Sequence, residues 1–394
     1  MKILYVNDYG TPTGGAEVVI IALRDGMRAR GHDARLFSSS AQSGHQPSQA
    51  DYRCHGTLGR GRTALQAFNL SANRQIKHVI ETFKPDVIHV KLFLTQLSPL
   101  ILPALRNVPS LYHAVWYRAV CPLGTKTLPG LQDCHSPVGL ACWENGCLAA
   151  HDWPLMMAQM KLLQNWGDVF DEIVPISVAI KSALAAEGVA SGEPIPNGTP
   201  IRPMRHAIDP RPRLVFAGRL VKEKGVDHLL AAMAIVLKRF PAARLLIAGD
   251  GPERASLLSF ANQLGIAASV EFMGHLSQEL MEQKFEGAWA QIVPSRWAEP
   301  FGMVAVEAMM RGIAVIASDG GGLKEIVEHN RTGLLFRRGD IDSLTNAICN
   351  IVSDMKWSMQ LGQRGREVAI EKYSMDKFLD RFERLYERMI AETA

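Results

Sequence analysis

The stretch Leu214-Val-Phe-Ala-Gly-Arg-Leu-Val-Lys-Glu-Lys-Gly-Val226 holds the fold in miniature. Its first four residues are apolar without alternation, the pattern of a parallel strand covered on both faces. A glycine-bearing turn follows. Residues 226–239 then place apolar side chains at helical spacing. Strand, glycine turn and helix form the repeating unit of a doubly wound α/β sheet.

The same unit recurs on either side. Short buried strands read at 3–6, 87–90, 110–115 and 172–176, and again at 244–248, 270–273, 290–293 and 313–317. Helical patterns read at 17–30, 181–187, 254–264, 304–311, 341–352 and 374–390. Residues 188–212 break the rhythm with six Pro and three Gly, which marks a linker. A chain of 394 residues suits two domains. The division is 1–197 and 198–373, two Rossmann-like domains of similar size facing a cleft, with a terminal helix at 374–394 expected to pack back on the first domain. Residues 121–153 have little periodicity and read as an irregular insertion in that domain.

Composition narrows the function classes. With 43 basic and 39 acidic residues the net charge is +4, too balanced for a dedicated nucleic-acid binder. No apolar run approaches the ~18 residues of a membrane span. MKILYVNDYG reads as a strand rather than a signal peptide. These features point to a cytoplasmic protein, with peripheral contact to the inner membrane face left open.

Chemistry concentrates at the turns after strands. Gly218, Arg219 and Lys224 set a close-approach glycine and two cations at a strand-to-helix turn, which suits a diphosphate; a solvated basic loop is the alternative. Glu299-Pro-Phe-Gly-Met-Val-Ala-Val-Glu307 places two carboxylates eight positions apart astride a helix start. They can accept hydrogen bonds from sugar and ribose hydroxyls, while free amides near Gly302–Val304 can receive an oxygen. Ser318-Asp-Gly-Gly-Gly-Leu-Lys-Glu325 adds a glycine cradle through Gly321 and Gly322. In the first domain, Gly14-Gly15-Ala-Glu17 opens a helix. His113 sits at a strand end, where it acts as a hydrogen-bond donor or proton carrier, or is a satisfied core residue.

Taken in order, these motifs resemble the retaining glycosyltransferases of family 4, with the GT-B fold, over most of the chain from Gly14 to at least Gly333. The Gly14–Glu17 loop, His113, Gly218–Gly225, the Glu299/Glu307 pair and Gly321–Glu325 carry the resemblance; the carboxylate pair is its specific element. Asn197-Gly198 is similar to the Asn-Gly that ends the linker in many members. The resemblance implies a metal-independent hexosyltransferase that moves a sugar from a nucleoside-diphosphate sugar, with UDP or GDP as carrier. The acceptor would be a polysaccharide, lipopolysaccharide, lipid-linked or other glycoconjugate. It implies that Arg219 and Lys224 hold the diphosphate. Glu299 holds sugar hydroxyls, assisted by the backbone of Phe301, Gly302, Met303 and Val304, and Glu307 holds the ribose. Gly14 and Gly15 approach the phosphate, and His113 contacts the sugar near its reacting carbon. One departure is Ala114, where many members with a Cys-bearing insertion have Asp. A phosphorylase, a sugar-nucleotide epimerase and a non-catalytic sugar-nucleotide-binding protein are the alternatives.

Cys121, Cys134, Cys142 and Cys147 are spaced 13, 8 and 5 apart. In a reducing compartment such a cluster suggests structural zinc first, with disulfides and free thiols as alternatives. Residues 52–80 carry Arg53, Arg60, Arg62, Arg74 and Lys77 and no acid. They read as a solvated helix face or as a patch for anionic lipid.

Overall fold

The computed structural model describes residues 1–12, 14–42, 46–59 and 61–393. Arg60 of the basic stretch lies outside them. The chain divides into two compact units, Met1–Gly198 with Asp376–Ala394, and Thr199–Met375.

In the first unit the order is β1 (Lys2–Tyr9), α1 (Gly15–Ala29), β2 (Asp33–Ser39), β3 (Tyr52–Cys54), α2 (Arg62–Ala67), α3 (Leu70–Phe83), β4 (Val87–Leu92) and β5 (Ser110–Ala114). Then come α4 (Ala141–Glu144), α5 (Trp153–Trp166), β6 (Glu172–Pro175) and α6 (Val178–Ala186). The strands form one parallel sheet in the order β3-β2-β1-β4-β5-β6. The chain runs outward from β1 in one direction and from β4 in the other, so the switch point lies between these two strands. Asp8, at the end of β1, fixes the loop after β4. It accepts from the Thr95 amide (2.9 Å) and hydroxyl (2.8 Å) and from the amides of Gln96 (2.7 Å) and Leu97 (3.0 Å).

The second unit runs β7 (Arg213–Ala217), α7 (Val226–Arg239), β8 (Arg244–Ala248), α8 (Arg254–Gln263), β9 (Val270–Gly274), α9 (Gln278–Phe285) and β10 (Ala290–Val293). It continues through α10 (Met303–Met310), β11 (Ala314–Ser318), α11 (Leu323–Ile326), β12 (Gly333–Phe336), α12 (Ile341–Ser353) and α13 (Met355–Tyr373). Its parallel sheet has the order β12-β11-β10-β7-β8-β9, with the switch point between β10 and β7. Leu214, Phe216, Leu245, Ile247, Ile292 and Ile316 carry one face into a core shared with α7 and α12. Both faces are covered, which is why the strands read as continuous apolar runs.

Residues 189–212 contain no helix or strand. The last helix, α14 (Met375–Thr393), joins the first unit. Phe378, Phe382 and Tyr386 recur at four-residue spacing, so they form one apolar stripe, and all three are fully buried. The Phe382 ring lies 4.8 Å from His89 and 5.0 Å from His113 on neighbouring strands. The polar side is pinned to α1 and the turn after it: Arg30 pairs with Asp380 (2.7 Å) and Glu383 (2.5 Å), and His32 with Glu383 (2.7 Å). Among the described residues, no helix is long and apolar enough to cross a membrane.

The stripe dominates this packing, because exposed ion pairs contribute little. Phe382→Ala is expected to cost about 3–5 kcal/mol in chemical denaturation followed by far-UV circular dichroism. A loss below about 1 kcal/mol would mean that α14 is not part of the cooperative core of the first unit.

Candidate functional site

Three loops leave the C-terminal ends of β7, β10 and β11 and meet at the switch point of the second unit, where open α/β sheets bind ligands. They meet backbone to backbone. Gly225 has φ +68° and faces the Pro294 carbonyl, and Gly321 has φ +62° and faces the Glu299 carbonyl. An added Cβ at either position would collide with those carbonyls. Two backbone hydrogen bonds sew the loops together: the Gly322 amide donates to Glu299 (2.7 Å), and the Arg296 amide to Glu223 (2.8 Å).

Close approach brings Lys224 onto Glu299. The Lys224 Nζ lies 2.5 Å from Glu299 Oε1, which also accepts from Ser295 Oγ at 2.6 Å. The Glu299 side chain is 8% exposed and that of Lys224 is 24% exposed. Burial pushes the Glu299 carboxyl up, but the Lys224 ammonium and the hydrogen bonds outweigh it, so the carboxyl titrates below the usual range. Lys224 also stands 5.9 Å over the Trp297 ring. Arg219 lies on the same β7 loop, exposed, and its guanidinium has no partner among the described residues. The site therefore offers one cation already paired and one free.

Gly302 caps α10 with φ +121°, Met303 begins the helix, and Phe301 is buried against Tyr373 at 5.8 Å, edge to face. The Val304 carbonyl accepts from Gln291 Nε2 at 2.8 Å. Glu307 is half-buried on α10, and its carboxylate makes no ion pair among the described residues. Burial raises its pKa against the attraction of Arg311 and Arg202. Arg311 is otherwise engaged, holding Glu282 through two bonds of 2.7 and 2.8 Å. Gly218, Arg219, Lys224, Glu299, Gly302, Glu307, Gly321 and Gly322 thus belong to the loops and helix start around one switch point.

The other expected residues lie in the first unit. Gly14 caps α1 in extended conformation; Gly15 is the first residue of that helix and is exposed. His113, on β5, is fully buried under α14 between His89 and the Phe378 and Phe382 rings. Burial lowers its pKa far below the usual value and Lys91 lowers it further, so the ring is neutral. Lys91 itself escaped the sequence; only the close of an apolar strand at a cation hinted at it. Cys121, Cys134, Cys142 and Cys147 are free, half-buried thiols. Among the described residues, no three His, Cys, Asp or Glu side chains gather into a set that could hold a metal ion. Cys142 feels the charges of Cys121 and Cys134, and Cys147 those of Cys134, Cys142 and Cys121, so the four thiols stand in one another's neighbourhood. Arg62, Arg74 and Lys77 of the basic stretch are exposed.

Lys224→Met leaves the Glu299 carboxylate buried without its counter-charge. The expected cost is about 3 kcal/mol, the low end for breaking a buried pair because Lys224 is partly solvated. A depressed carboxyl stabilises the fold above its unfolded pKa, and that gain disappears as pH falls through the folded pKa. The variant should therefore lose most stability at neutral pH and converge on wild type in acid. Equal losses at pH 7 and pH 3, read from urea denaturation, would contradict this.

Comparison with known proteins extends the description. Residues 13–202 match the profile described as Glycosyltransferase Family 4, and residues 201–368 match Glycosyl transferases group 1. The chain is 29% identical over 244 residues to a GDP-mannose-dependent alpha-(1-6)-phosphatidylinositol monomannoside mannosyltransferase of Mycobacterium tuberculosis, covering 57% of this chain and 63% of that one. The alignments with this and another curated relative span less than two thirds of those relatives' length. Among solved structures, sucrose-phosphate synthase from Thermosynechococcus elongatus superposes with TM-score 0.75 at 22% identity over 100% of both chains. HepE of Anabaena, in complex with UDP, superposes with TM-score 0.70 at 19% identity over 98% of this chain and 100% of that one. At such identities the likeness is one of fold. Together the two profiles run from residue 13 to residue 368, and the protein is a family-4-like glycosyltransferase with the GT-B fold.

Proposed function

We propose that the protein transfers a sugar from a nucleoside-diphosphate sugar to a hydroxyl of a glycan, lipid-linked or other glycoconjugate acceptor, with retention at the anomeric carbon and without a metal ion in the transfer. The observation that carries this reading is the Lys224–Glu299 pair, held at 2.5 Å where the β7 and β10 loops interlock. Arg219 and Lys224 would take the diphosphate, with the free amides at the start of α10 beside them. Glu299 would exchange its contact with Lys224 for sugar hydroxyls, and Glu307, without an ion pair of its own, would take the ribose. Gly14 and Gly15, at the start of α1, remain candidates for a phosphate, whereas His113, fully buried beneath the Phe378 and Phe382 rings, offers no exposed atom to a sugar.

The chemistry follows from charge. The leaving nucleoside diphosphate gains negative charge as the glycosidic bond to phosphate breaks. The paired Lys224, the free Arg219 and a helix start would stabilise that charge more in the transition state than in the bound donor. This role needs no metal when both cations are in place. The mannosyltransferase relative is named for GDP-mannose, and the HepE structure holds UDP; both are donors or donor fragments of the proposed class. The carrier base and the sugar are to be found by screening.

The test is a sugar-transfer assay over UDP- and GDP-sugars with glycan and lipid-linked acceptors, EDTA present. Arg219→Ala and Lys224→Met should each lower kcat about 10²–10³-fold, the usual loss for one preorganised charge-stabilising donor. Glu307→Ala should act mainly on donor KM. Transfer unchanged in Arg219→Ala and Glu307→Ala would remove these residues from the site.

A further inference from the structure

Glu307 and Arg311 stand four residues apart on α10 and its cap, acid before base, and the Arg311 amide donates to the Glu307 carbonyl at 3.3 Å. Helical side chains lean toward the N-terminus, so an arginine at this position can lie over the turn that carries the glutamate. This is also the favourable order for an ion pair along a helix. Yet the pair does not form. Among the described residues the Glu307 carboxylate has neither an ion pair nor a hydrogen bond.

Glu282 of α9 accounts for this. It takes Arg311 as a two-bond fork, from Nε at 2.7 Å and from Nη2 at 2.8 Å. The Arg311 side chain is 4% exposed, so the fork holds a guanidinium that water scarcely reaches. Such a cation needs a carboxylate, and the planar fork fixes its direction. Glu282 also draws a second cation. Arg202 Nε lies 4.0 Å from Glu282 Oε1 and makes no hydrogen bond. The chain around Arg202 is sewn to the end of α10. Arg366 Nη1 donates to the carbonyls of Arg202 (2.8 Å) and Met310, and the Arg205 amide donates to the Arg311 carbonyl (3.0 Å). Arg311, Arg202 and Glu282 are the charged groups that bear on Glu307; the two arginines favour its charge and Glu282 opposes it.

We propose that Glu282 is a positioning residue of the donor site: by holding Arg311 in a fork and drawing Arg202 toward itself, it keeps both guanidinium groups off Glu307, whose carboxylate stays open to the two ribose hydroxyls of a nucleoside diphosphate. This rests on the sugar-transfer reading, in which Glu307 takes the ribose. The chemistry is a competition for one pair of oxygens. A carboxylate can accept the two N–H groups of an arginine fork or the two O–H groups of a vicinal diol. Charge-assisted bonds are the stronger, so a guanidinium within reach would displace neutral hydroxyls unless it is engaged elsewhere. Without the Glu282 charge, the nearest carboxylate for Arg311 is four residues back on its own helix.

The experiment titrates UDP and GDP into wild type, Glu282→Gln, Arg311→Met and the double variant, each as the full chain. Glu282→Gln keeps an oxygen acceptor but loses the charge, which frees Arg311 to turn to Glu307. It should weaken the nucleotide that binds about tenfold, the factor by which the open carboxylate is depleted, and raise donor KM with kcat kept. That nucleotide should also lose its advantage over its dideoxy analogue, which lacks both ribose hydroxyls. Removing Arg311 as well should recover most of the loss, and Arg311→Met alone should bind like wild type. Equal affinities of wild type and Glu282→Gln would overturn the proposal. So would a double variant as weak as Glu282→Gln, the result expected of a bridge that only supports the fold. Weak binding by Arg311→Met would make Arg311 a ligand contact and overturn it too, whether or not Glu282→Gln folds. If wild type binds neither nucleotide, the function fails, but the Glu307 carboxyl followed by NMR still decides the positioning role. Its titration should move about one pH unit toward acid in Glu282→Gln, as a new guanidinium partner demands, and return in the double variant; an unmoved titration would overturn the proposal.

Discussion

The contact between the β7 and β10 loops constrains everything around it. Gly225 lies against the Pro294 carbonyl, and Gly321 lies against the Glu299 carbonyl. Only glycine leaves room for these approaches and tolerates the positive φ they require. The approaches in turn set Lys224 on Glu299 in a buried position. The sheets supply a rigid base, since both faces are covered and the strand ends cannot drift. The site is thus built from backbone first and charge second, as preorganisation requires.

The two units use their switch points differently. In the second, loops and a helix start present cations and carboxylates with partial exposure. In the first, polar groups are drawn inward: Asp8 holds the β4 loop, Lys91 is turned in by a bulge, and two histidines lie beneath α14. A helix from the far end of the chain covers the two histidines. Its stripe of Phe378, Phe382 and Tyr386 contributes both core packing and the phenol that hydrogen-bonds His89.

Much of the fold was legible because buried parallel strands are apolar without interruption. The expected strands at 244–248 and 290–293 match β8 and β10 residue for residue. Less legible elements had weaker patterns. β2 mixes Asp33, Arg35 and two serines into its run, β12 has only four residues, and α13 carries Gly362 and Gly365 on its buried side. The helix expected at 17–30 begins two residues earlier, which makes Gly15 its first residue. For the site, the glycine-rich turns and the Glu299/Glu307 spacing were visible because they are local. Lys91 was not, because it sits at a slip in the β1–β4 ladder that no local pattern announces. Cysteine spacing marked the insertion as a cluster, and its thiols do act on one another, with Cys142 on α4.

The central claim is that Arg219 and Lys224 at the second switch point hold a nucleoside diphosphate. Calorimetric titration of the full chain with UDP and with GDP, in EDTA, tests it most directly. One of the two should bind at micromolar Kd, and Arg219→Ala should weaken it at least tenfold, a loss of about 1.4 kcal/mol. Binding of neither nucleotide, or binding that Arg219→Ala and Lys224→Met leave unchanged, would contradict the account.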